Sequence, residues 1–190
     1  MVRTPSTMLP LGTALPDASL PDAVSGEDLT LSSIAGPKGL MVAFISCHCP
    51  FVKHLEDQLG PVRAEFAPQG IGFVAIGSNN IETHPDDSPD KMKIQAEAFD
   101  FGFPYLYDED QSLAKTFTAA CTPDFFLFDR QHKLHYRGQF DASRPNNGIE
   151  LTGVDLRAAA DSALAGGSPP EDQTPSVGCN IKWKPGNEPR

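Results

Sequence analysis

An apolar run that leads into two cysteines and a proline places the strongest limit on how this chain can fold. Leu40–Ile45 is apolar at every position, too short to cross a bilayer and the right length for a buried strand. Ser46, Cys47, His48 and Cys49 follow. Pro50 then begins a predicted helix, because a first-turn proline lacks only an N–H that has no helical partner. Both cysteines therefore lie at a helix N-terminus, where we expect the helix dipole to lower a thiol pKa.

Strand and helix patterns alternate through the rest of the chain. An apolar stripe predicts a helix from Pro50 to about Ala67, with a kink or break at Gly60-Pro61. Further strands are predicted at 71–78, 125–128 and 133–140, and further helices at 89–101, 110–117 and 152–164. This order predicts an α/β fold, with parallel strands joined by crossovers and the last two strands forming an antiparallel hairpin.

The two ends of the chain extend this domain, which we place at 17–166. Residues 1–16 are predicted to form a loose arm, and 18–21 with 28–31 an N-terminal β-hairpin. The tail, 167–190, is rich in proline and would suit a disordered terminus. Its residues 177–183, however, alternate apolar and polar side chains and include the only tryptophan. We therefore expect this segment to dock on the domain.

Charge and cysteine content limit the partners and the compartment. The net charge of −10 argues against nucleic acid and anionic membranes as partners. No signal peptide and no spanning segment is recognisable, so the expected compartment is the cytoplasm, where thiols stay reduced. The four cysteines, Cys47, Cys49, Cys121 and Cys179, are then better explained by catalysis, regulation or metal binding than by structural disulfides, although burial of at least one is expected.

Three motifs give the chain a family resemblance over about residues 17–165. They are the cysteine motif that ends in Cys49-Pro50, the Thr122-Pro123 step before a strand, and Asp129 followed by Gly138. With the order of strands and helices, they resemble the thioredoxin-like superfamily, and within it the redoxin group of thiol-specific antioxidant peroxidases and thiol-disulfide isomerases. The resemblance implies a central mixed β-sheet flanked by helices. It also implies that Pro123 is cis and that Thr122 packs near Cys49.

The resemblance implies a thiol-disulfide oxidoreductase without a cofactor, but the cysteine motif departs from the Cys-x-x-Cys pattern. Ser46 occupies the first cysteine position, and the second thiol has moved inward to Cys47. A Cys47–Cys49 disulfide would close a cramped, labile ring. Cys47 or Cys49 is the expected nucleophile, with Cys47 favoured if it points outward. The neighbouring thiol or Cys121 is the expected resolving residue. Cys179 is a more distant alternative, although simple burial explains it better.

Two alternatives remain open from the sequence. Ser46-x-x-Cys49 resembles the Thr-x-x-Cys core of peroxiredoxins, which would make Cys49 a peroxidatic residue, with Arg144 a weak candidate for the supporting cation. The second alternative is a non-enzymatic protein that binds a partner or a soft metal. Cys47, His48 and Cys49 could bind such a metal together with His54, His84 or Cys121. For the acidic loop 79–87 we expect a solvated segment rather than a metal site.

The expected partners follow from the redox chemistry. Substrates would be protein or small-molecule disulfides or peroxides, and a thioredoxin-like or glutathione system would supply the electrons.

Overall fold

The computed structural model describes residues 3–189, and its secondary structure confirms the predicted alternation of strands and helices. The strands are β1 (Arg3–Pro5), β2 (Ser19–Pro21), β3 (Asp28–Thr30), β4 (Gly39–Phe44), β5 (Ile71–Gly77), β6 (Tyr105–Tyr107), β7 (Cys121–Thr122), β8 (Asp124–Asp129), β9 (Leu134–Gly138) and β10 (Val177–Asn180). The α-helices are α1 (Leu31–Ile34), α2 (Pro50–Lys53), α3 (Glu56–Phe66), α4 (Pro89–Ala98), α5 (Ser112–Thr116) and α6 (Val154–Leu164). Single 3-10 turns cover Ala67–Gln69 and Pro85–Asp87. Among the described residues, no helix is long and apolar enough to cross a membrane.

A mixed sheet forms the centre of the molecule. Strand β4 pairs antiparallel with β8, and β8 pairs antiparallel with β9, as the predicted hairpin requires. On the other side of β4 lies β5, which pairs parallel with β6 in the same sheet. Ile45, just beyond β4, donates its N–H to the carbonyl of Ile76 at 3.0 Å. The fold class predicted from the sequence is therefore confirmed.

Strand β4 is buried on both faces, which explains its continuous apolar sequence. Met41, Ala43 and Ile45 face one apolar cluster, into which α3, α4 and α6 pack. Leu40, Val42 and Phe44 face a second cluster, completed by α5 and by side chains of the chain ends. This alternation follows from the two-residue period of a strand, and it fixes where the chain leaves the sheet at Ser46.

The helix predicted at 50–67 is interrupted, but upstream of the predicted site. It divides at His54 and Leu55, where the Leu55 N–H bonds to Val52 O at 2.9 Å and tightens the turn. Pro61 lies inside α3. Gly60 serves packing instead, because a Cβ there would lie 2.5 Å from the carbonyl oxygen of Asp100. The helix that follows the cysteines is consequently one turn long.

Both chain ends dock on the domain. The predicted N-terminal hairpin is confirmed as the antiparallel pair of β2 and β3. The prediction of a loose arm at 1–16 is wrong for its described part, because β1 pairs with β10 and residues 12 and 15 bond to the β9 hairpin; residues 1 and 2 lie outside the described residues. The predicted docking of 177–183 is confirmed. Strand β10 lies between β1 and β7, and Ile181 is buried.

Some predicted boundaries move by a few residues. Helix α4 ends at Ala98 rather than near residue 101, and β9 is confined to Leu134–Gly138 within the predicted 133–140. The last helix begins at Val154 rather than at residue 152, and Gly153, in a left-handed backbone conformation, is its N-cap.

Candidate active site

Cys49 ends the loop between β4 and α2 and lies against the Thr122–Pro123 peptide bond. It is the N-cap residue of α2, and no part of it is exposed. Its Sγ donates to the carbonyl oxygen of Thr122 at 3.1 Å. The Thr122–Pro123 bond is cis. Both predictions about this segment, a cis Pro123 and a Thr122 packed near Cys49, are confirmed.

The tail brings a second thiol to Cys49. Cys179 lies opposite Thr122 in the β10–β7 ladder, and Thr122 is the residue whose carbonyl accepts the Cys49 thiol. Cys49 and Cys179 belong to the same buried apolar cluster. Burial, and then the neighbouring Cys49 thiol, raise the pKa of Cys179 to about 12, while the charge of Lys182 lowers it less. The sequence alone made Cys179 a distant candidate, yet it lies beside Cys49.

Cys47 has a different environment and a different chemical character. It is half-buried and lines an open cleft of about 520 Å³ together with His48, Lys53 and Glu56. Burial, and then the charge of Asp87, raise the pKa of the Cys47 thiol to about 12, while the facing Tyr105 hydroxyl lowers it less. This is the reverse of the predicted direction. A one-turn helix carries little of the dipole assumed for a long one, and desolvation outweighs it.

Asp87 organises the loop that carries Cys47, a role that sequence reasoning missed. Its carboxylate is 4% exposed and accepts the Ser46 hydroxyl at 2.9 Å, the Cys47 N–H at 2.7 Å and His48 Nδ1 at 2.6 Å. Asn79 Nδ2 donates to the same carboxylate at 2.7 Å. The expectation of a solvated loop at 79–87 is therefore wrong at these two buried residues. Their partners lie about forty positions away in sequence or across a turn, and no local pattern shows that.

Ser46 is held by this network instead of facing the reactive thiol. It is 2% exposed, donates to Asp87, and lies 3.2 Å from His48 Nδ1. A hydroxyl already engaged with a carboxylate is poorly placed to donate elsewhere.

Cys121 belongs to a third environment, centred on Asp124. It is fully buried, and its Sγ is directed at the Pro123 carbonyl, 3.6 Å away. Burial, and then the charge of Asp124, raise the pKa of the Cys121 thiol, while Ser6 lowers it. Burial raises the pKa of Asp124 itself to about 7, although Ser6 donates to its Oδ1. Of the predicted site residues, Cys49, Cys121, Thr122 and Pro123 are therefore brought together, whereas Ser46 and Cys47 belong to the network of Asp87.

The residues proposed as a supporting cation or as metal ligands are engaged elsewhere. Arg144 donates to the carbonyls of Asp141 and Ser143 and to Gln139 Oε1, so it fastens the loop after β9. His54 bonds to Ser143 at 2.7 Å, on a different side of the site from His48. Within residues 3–189, no group of three or more His, Cys, Asp or Glu side chains is arranged to hold a metal ion.

A mixed sheet flanked by helices, with Cys49 at the junction of β4 and α2 beside the cis Pro123, defines a protein of thioredoxin-like fold. Solved structures agree. A secreted disulfide oxidoreductase of Mycobacterium tuberculosis, homologous to E. coli DsbE, has a TM-score of 0.60 at 16% identity and covers 77% of this chain and 96% of its own. A putative thiol:disulfide interchange protein DsbE of Chlorobium tepidum has a TM-score of 0.64 at 18% identity, covering 83% of this chain and 99% of its own. At these identities the likeness shows the fold alone.

The sequence profile of the AhpC/TSA family matches residues 11–137, and the chain belongs to this family. The redoxin resemblance seen in the sequence is therefore confirmed. An uncharacterized conserved protein from Geobacillus kaustophilus is 49% identical, with a TM-score of 0.94, and covers 97% of this chain and 98% of its own. A hypothetical protein from Sinorhizobium meliloti is 46% identical, with a TM-score of 0.93, over 96% and 100%. A search of curated proteins gave no significant match. Family membership supports a redox function with thiol or peroxide substrates and an external reductant.

Proposed function

We propose that this protein is a thiol-disulfide oxidoreductase whose reactive thiol is Cys49. The observation that carries the proposal is the position of Cys49, whose Sγ bonds to Thr122 O at 3.1 Å, while Cys179 lies opposite Thr122 in the β10–β7 ladder. Two thiols placed at the same residue can pass from the dithiol to the disulfide, which is the chemistry of such enzymes. Membership in the AhpC/TSA family supports the same redox assignment.

Cys47 has a separate role in this proposal. Its thiol faces Tyr105 and the open cleft, and both its burial and the Asp87 charge favour the protonated form. Only the thiolate attacks a disulfide, so a thiol with a pKa near 12 is a slow nucleophile at neutral pH. Cys49 contributes no exposed surface, so a substrate reaches it only after the site has opened, and we place that opening at the tail, whose Cys179 lies opposite Thr122.

The proposed cycle needs a reductant and a reducing compartment. Each turnover must begin with thiols, so a thioredoxin-like or glutathione system would restore the protein after it has reduced its substrate. The cytoplasm, where such systems keep thiols reduced, fits this requirement. We propose disulfides on proteins or small molecules as the substrates.

A thiol peroxidase with Cys49 as the peroxidatic residue is the second candidate, favoured by the family match and by the Ser46-x-x-Cys49 spacing. In that reaction the thiolate takes one oxygen atom from the peroxide and becomes a sulfenic acid, and a second thiol condenses with it and releases water. The Ser46 hydroxyl donates to Asp87, and this existing bond ranks the peroxidase below the oxidoreductase.

One set of variants tests both functions. Reduced wild-type protein and the Cys49→Ser and Cys47→Ser variants are mixed separately with dithiodipyridine and with hydrogen peroxide, and thiopyridone release and peroxide loss are followed. We expect Cys49→Ser to release thiopyridone only slowly, through the half-buried Cys47, and Cys47→Ser, the matched control two residues away, to keep the fast release. Loss of peroxide consumption without loss of disulfide reduction would favour the second candidate. Full disulfide turnover by Cys49→Ser would refute Cys49 as the reactive thiol.

A further inference from the structure

We propose that Cys179, on the C-terminal strand β10, is the resolving thiol for Cys49. This inference rests on the proposed function, because it names the residue that completes the reaction begun at Cys49. It gives the tail a chemical role and makes the redox-active pair one that spans the chain, from the first core helix to the last strand. The two cysteines are separated by 130 positions in sequence, so no local motif reveals them.

The architecture of the tail fixes Cys179 in place. Strand β10 is the central strand of a three-stranded sheet, paired antiparallel with β1 on one side and with β7 on the other. In that ladder Cys179 lies opposite Thr122, the residue whose carbonyl accepts the Cys49 thiol. Both thiols are nine-tenths or more buried and belong to the same apolar cluster. Their shared position at Thr122 is therefore held by main-chain pairing instead of by chance side-chain orientation.

Gly178 makes this close approach possible. A Cβ at this position would lie 1.9 Å from Thr122 O and 2.6 Å from its carbonyl carbon. Only a residue without a side chain lets β10 come this near to the backbone beside Cys49. The tail is thus built to lie on this part of the site.

The other two cysteines have different partners. Cys47 faces Tyr105, and a disulfide to Cys49 would have to close the cramped Cys-x-Cys ring. The Cys121 thiol is directed at the Pro123 carbonyl, 3.6 Å away, although the charge of Cys49 is among the causes of its raised pKa. Of the three, Cys179 is the one that main-chain pairing places opposite Thr122, whose carbonyl accepts the Cys49 thiol.

The reaction proceeds in two exchanges. The Cys49 thiolate attacks one sulfur of a substrate disulfide, forms a mixed disulfide, and displaces the other sulfur as a thiolate. The Cys179 thiolate then attacks Cys49 Sγ, forms the Cys49–Cys179 disulfide, and displaces the second substrate thiolate. The raised pKa of Cys179 leaves little thiolate, as it does for Cys47, but this attack is intramolecular, and the high effective concentration of a thiol in the same chain offsets that. The two protons lost by the cysteines pass to the two substrate thiolates. The substrate gains two electrons, the protein loses two, and an external dithiol reverses the change.

The test counts leaving groups and maps the bond. In a Cys47→Ser background, which lacks the partly exposed thiol, reduced protein receives one equivalent of dithiodipyridine. Capture by Cys49 and closure by Cys179 release about two equivalents of thiopyridone, whereas the further variant Cys179→Ser stops at about one and keeps a mixed disulfide. Cys121→Ser in the same background is the matched control and should still release two. Peptide mass spectrometry of oxidised wild-type protein should find Cys49 joined to Cys179.

The possible results separate this inference from the proposed function. A mapped disulfide from Cys49 to Cys47 or Cys121, or a second release that survives Cys179→Ser, would overturn the role of Cys179 and leave Cys49 as the reactive thiol. Disulfide reduction that survives Cys49→Ser would overturn both. The mapping uses unmodified protein, so it stays decisive even if the Cys179→Ser chain folds poorly.

Discussion

Replacing Asp87 by asparagine keeps the size of this buried side chain but removes its charge and one of its acceptors. The carboxylate receives hydrogen bonds from Ser46, Cys47, His48 and Asn79, at 2.6 to 2.9 Å. Asparagine can keep the bonds that Oδ1 accepts from the Ser46 hydroxyl and from the N–H groups of Cys47 and His48. Its side-chain NH₂ group would take the place of Oδ2. The N–H donors of His48 and Asn79 would then face another donor instead of an acceptor.

The free energy of unfolding should fall by about 3–6 kcal/mol in Asp87→Asn, since two hydrogen bonds to a charged group, at about 1.5–3 kcal/mol each, are lost at a buried site. Asn79 cannot relieve the conflict by turning its amide, because its Oδ1 accepts the Lys182 N–H at 2.8 Å. Chemical unfolding measures this loss. Asp86→Asn is the matched control, because Asp86 is exposed, and we expect it to change the free energy by less than about 0.5 kcal/mol.

The same substitution should change the chemistry of Cys47. The charge of Asp87 is the second cause, after burial, of the raised pKa of this thiol. Removing the charge lowers that pKa, and each unit increases the thiolate fraction at pH 8 about tenfold. Alkylation of Cys47 by iodoacetamide, followed by mass spectrometry, should therefore be faster in Asp87→Asn than in Asp86→Asn. Equal stabilities and equal alkylation rates in the two variants would refute the organising role of Asp87.

Two further predictions concern a buried acid and the tail. The pKa of Asp124 is about 7 in the folded protein, against an ordinary 3.8, so the folded state holds this proton more tightly and the resulting stabilisation is lost as the pH rises through 7. From pH 4 to pH 8, the unfolding free energy of Asp124→Asn should therefore increase relative to that of the wild type by up to about 4 kcal/mol. Parallel stability curves for the two proteins would contradict this. Gly178→Ala should clash with Thr122 O, loosen β10 and speed alkylation of Cys49 about tenfold, the effect of about 1.4 kcal/mol of easier opening. Glu171→Ala, a change at an exposed position of the tail, should leave the rate unchanged. Equal rates in the two variants would show that the tail does not limit access.

The sequence predicted the parts of the fold that depend on local pattern. The apolar run of β4, the hairpin of β8 and β9, and the alternating tail were correct because side-chain period and burial determine them directly. The Thr122-Pro123 step was placed correctly through a resemblance. What failed depended on contacts between distant segments. Nothing near Asp87 shows that its carboxylate will lie under the loop at 46–48, and nothing near Arg3 shows that it will pair with Cys179.

The thiol chemistry failed for a related reason. The predicted low pKa at Cys47 required a long helix and an open site, and its direction reversed once the helix proved to be one turn and the thiol faced Tyr105 and a carboxylate. The pKa of a thiol at a helix N-terminus depends on a modest lowering by the helix dipole and on a raising by desolvation. The desolvation can be judged only from the three-dimensional surroundings of the thiol.

The surroundings of Cys47 and of Cys49 depend on the same tail segment, which runs from β10 to Lys182. Strand β10 covers Cys49, and the residue two positions beyond it, Lys182, gives its N–H to Asn79 and its carbonyl to Gln111 and to the N–H of Asn80. Asn79 in turn bonds to Asp87 and so reaches the Cys47 loop. A shift of the tail that exposes Cys49 therefore also strains the network that holds Cys47 protonated. Opening of the site at Cys49 and the reactivity of the half-buried Cys47 thiol are therefore coupled through the side-chain amide of Asn79.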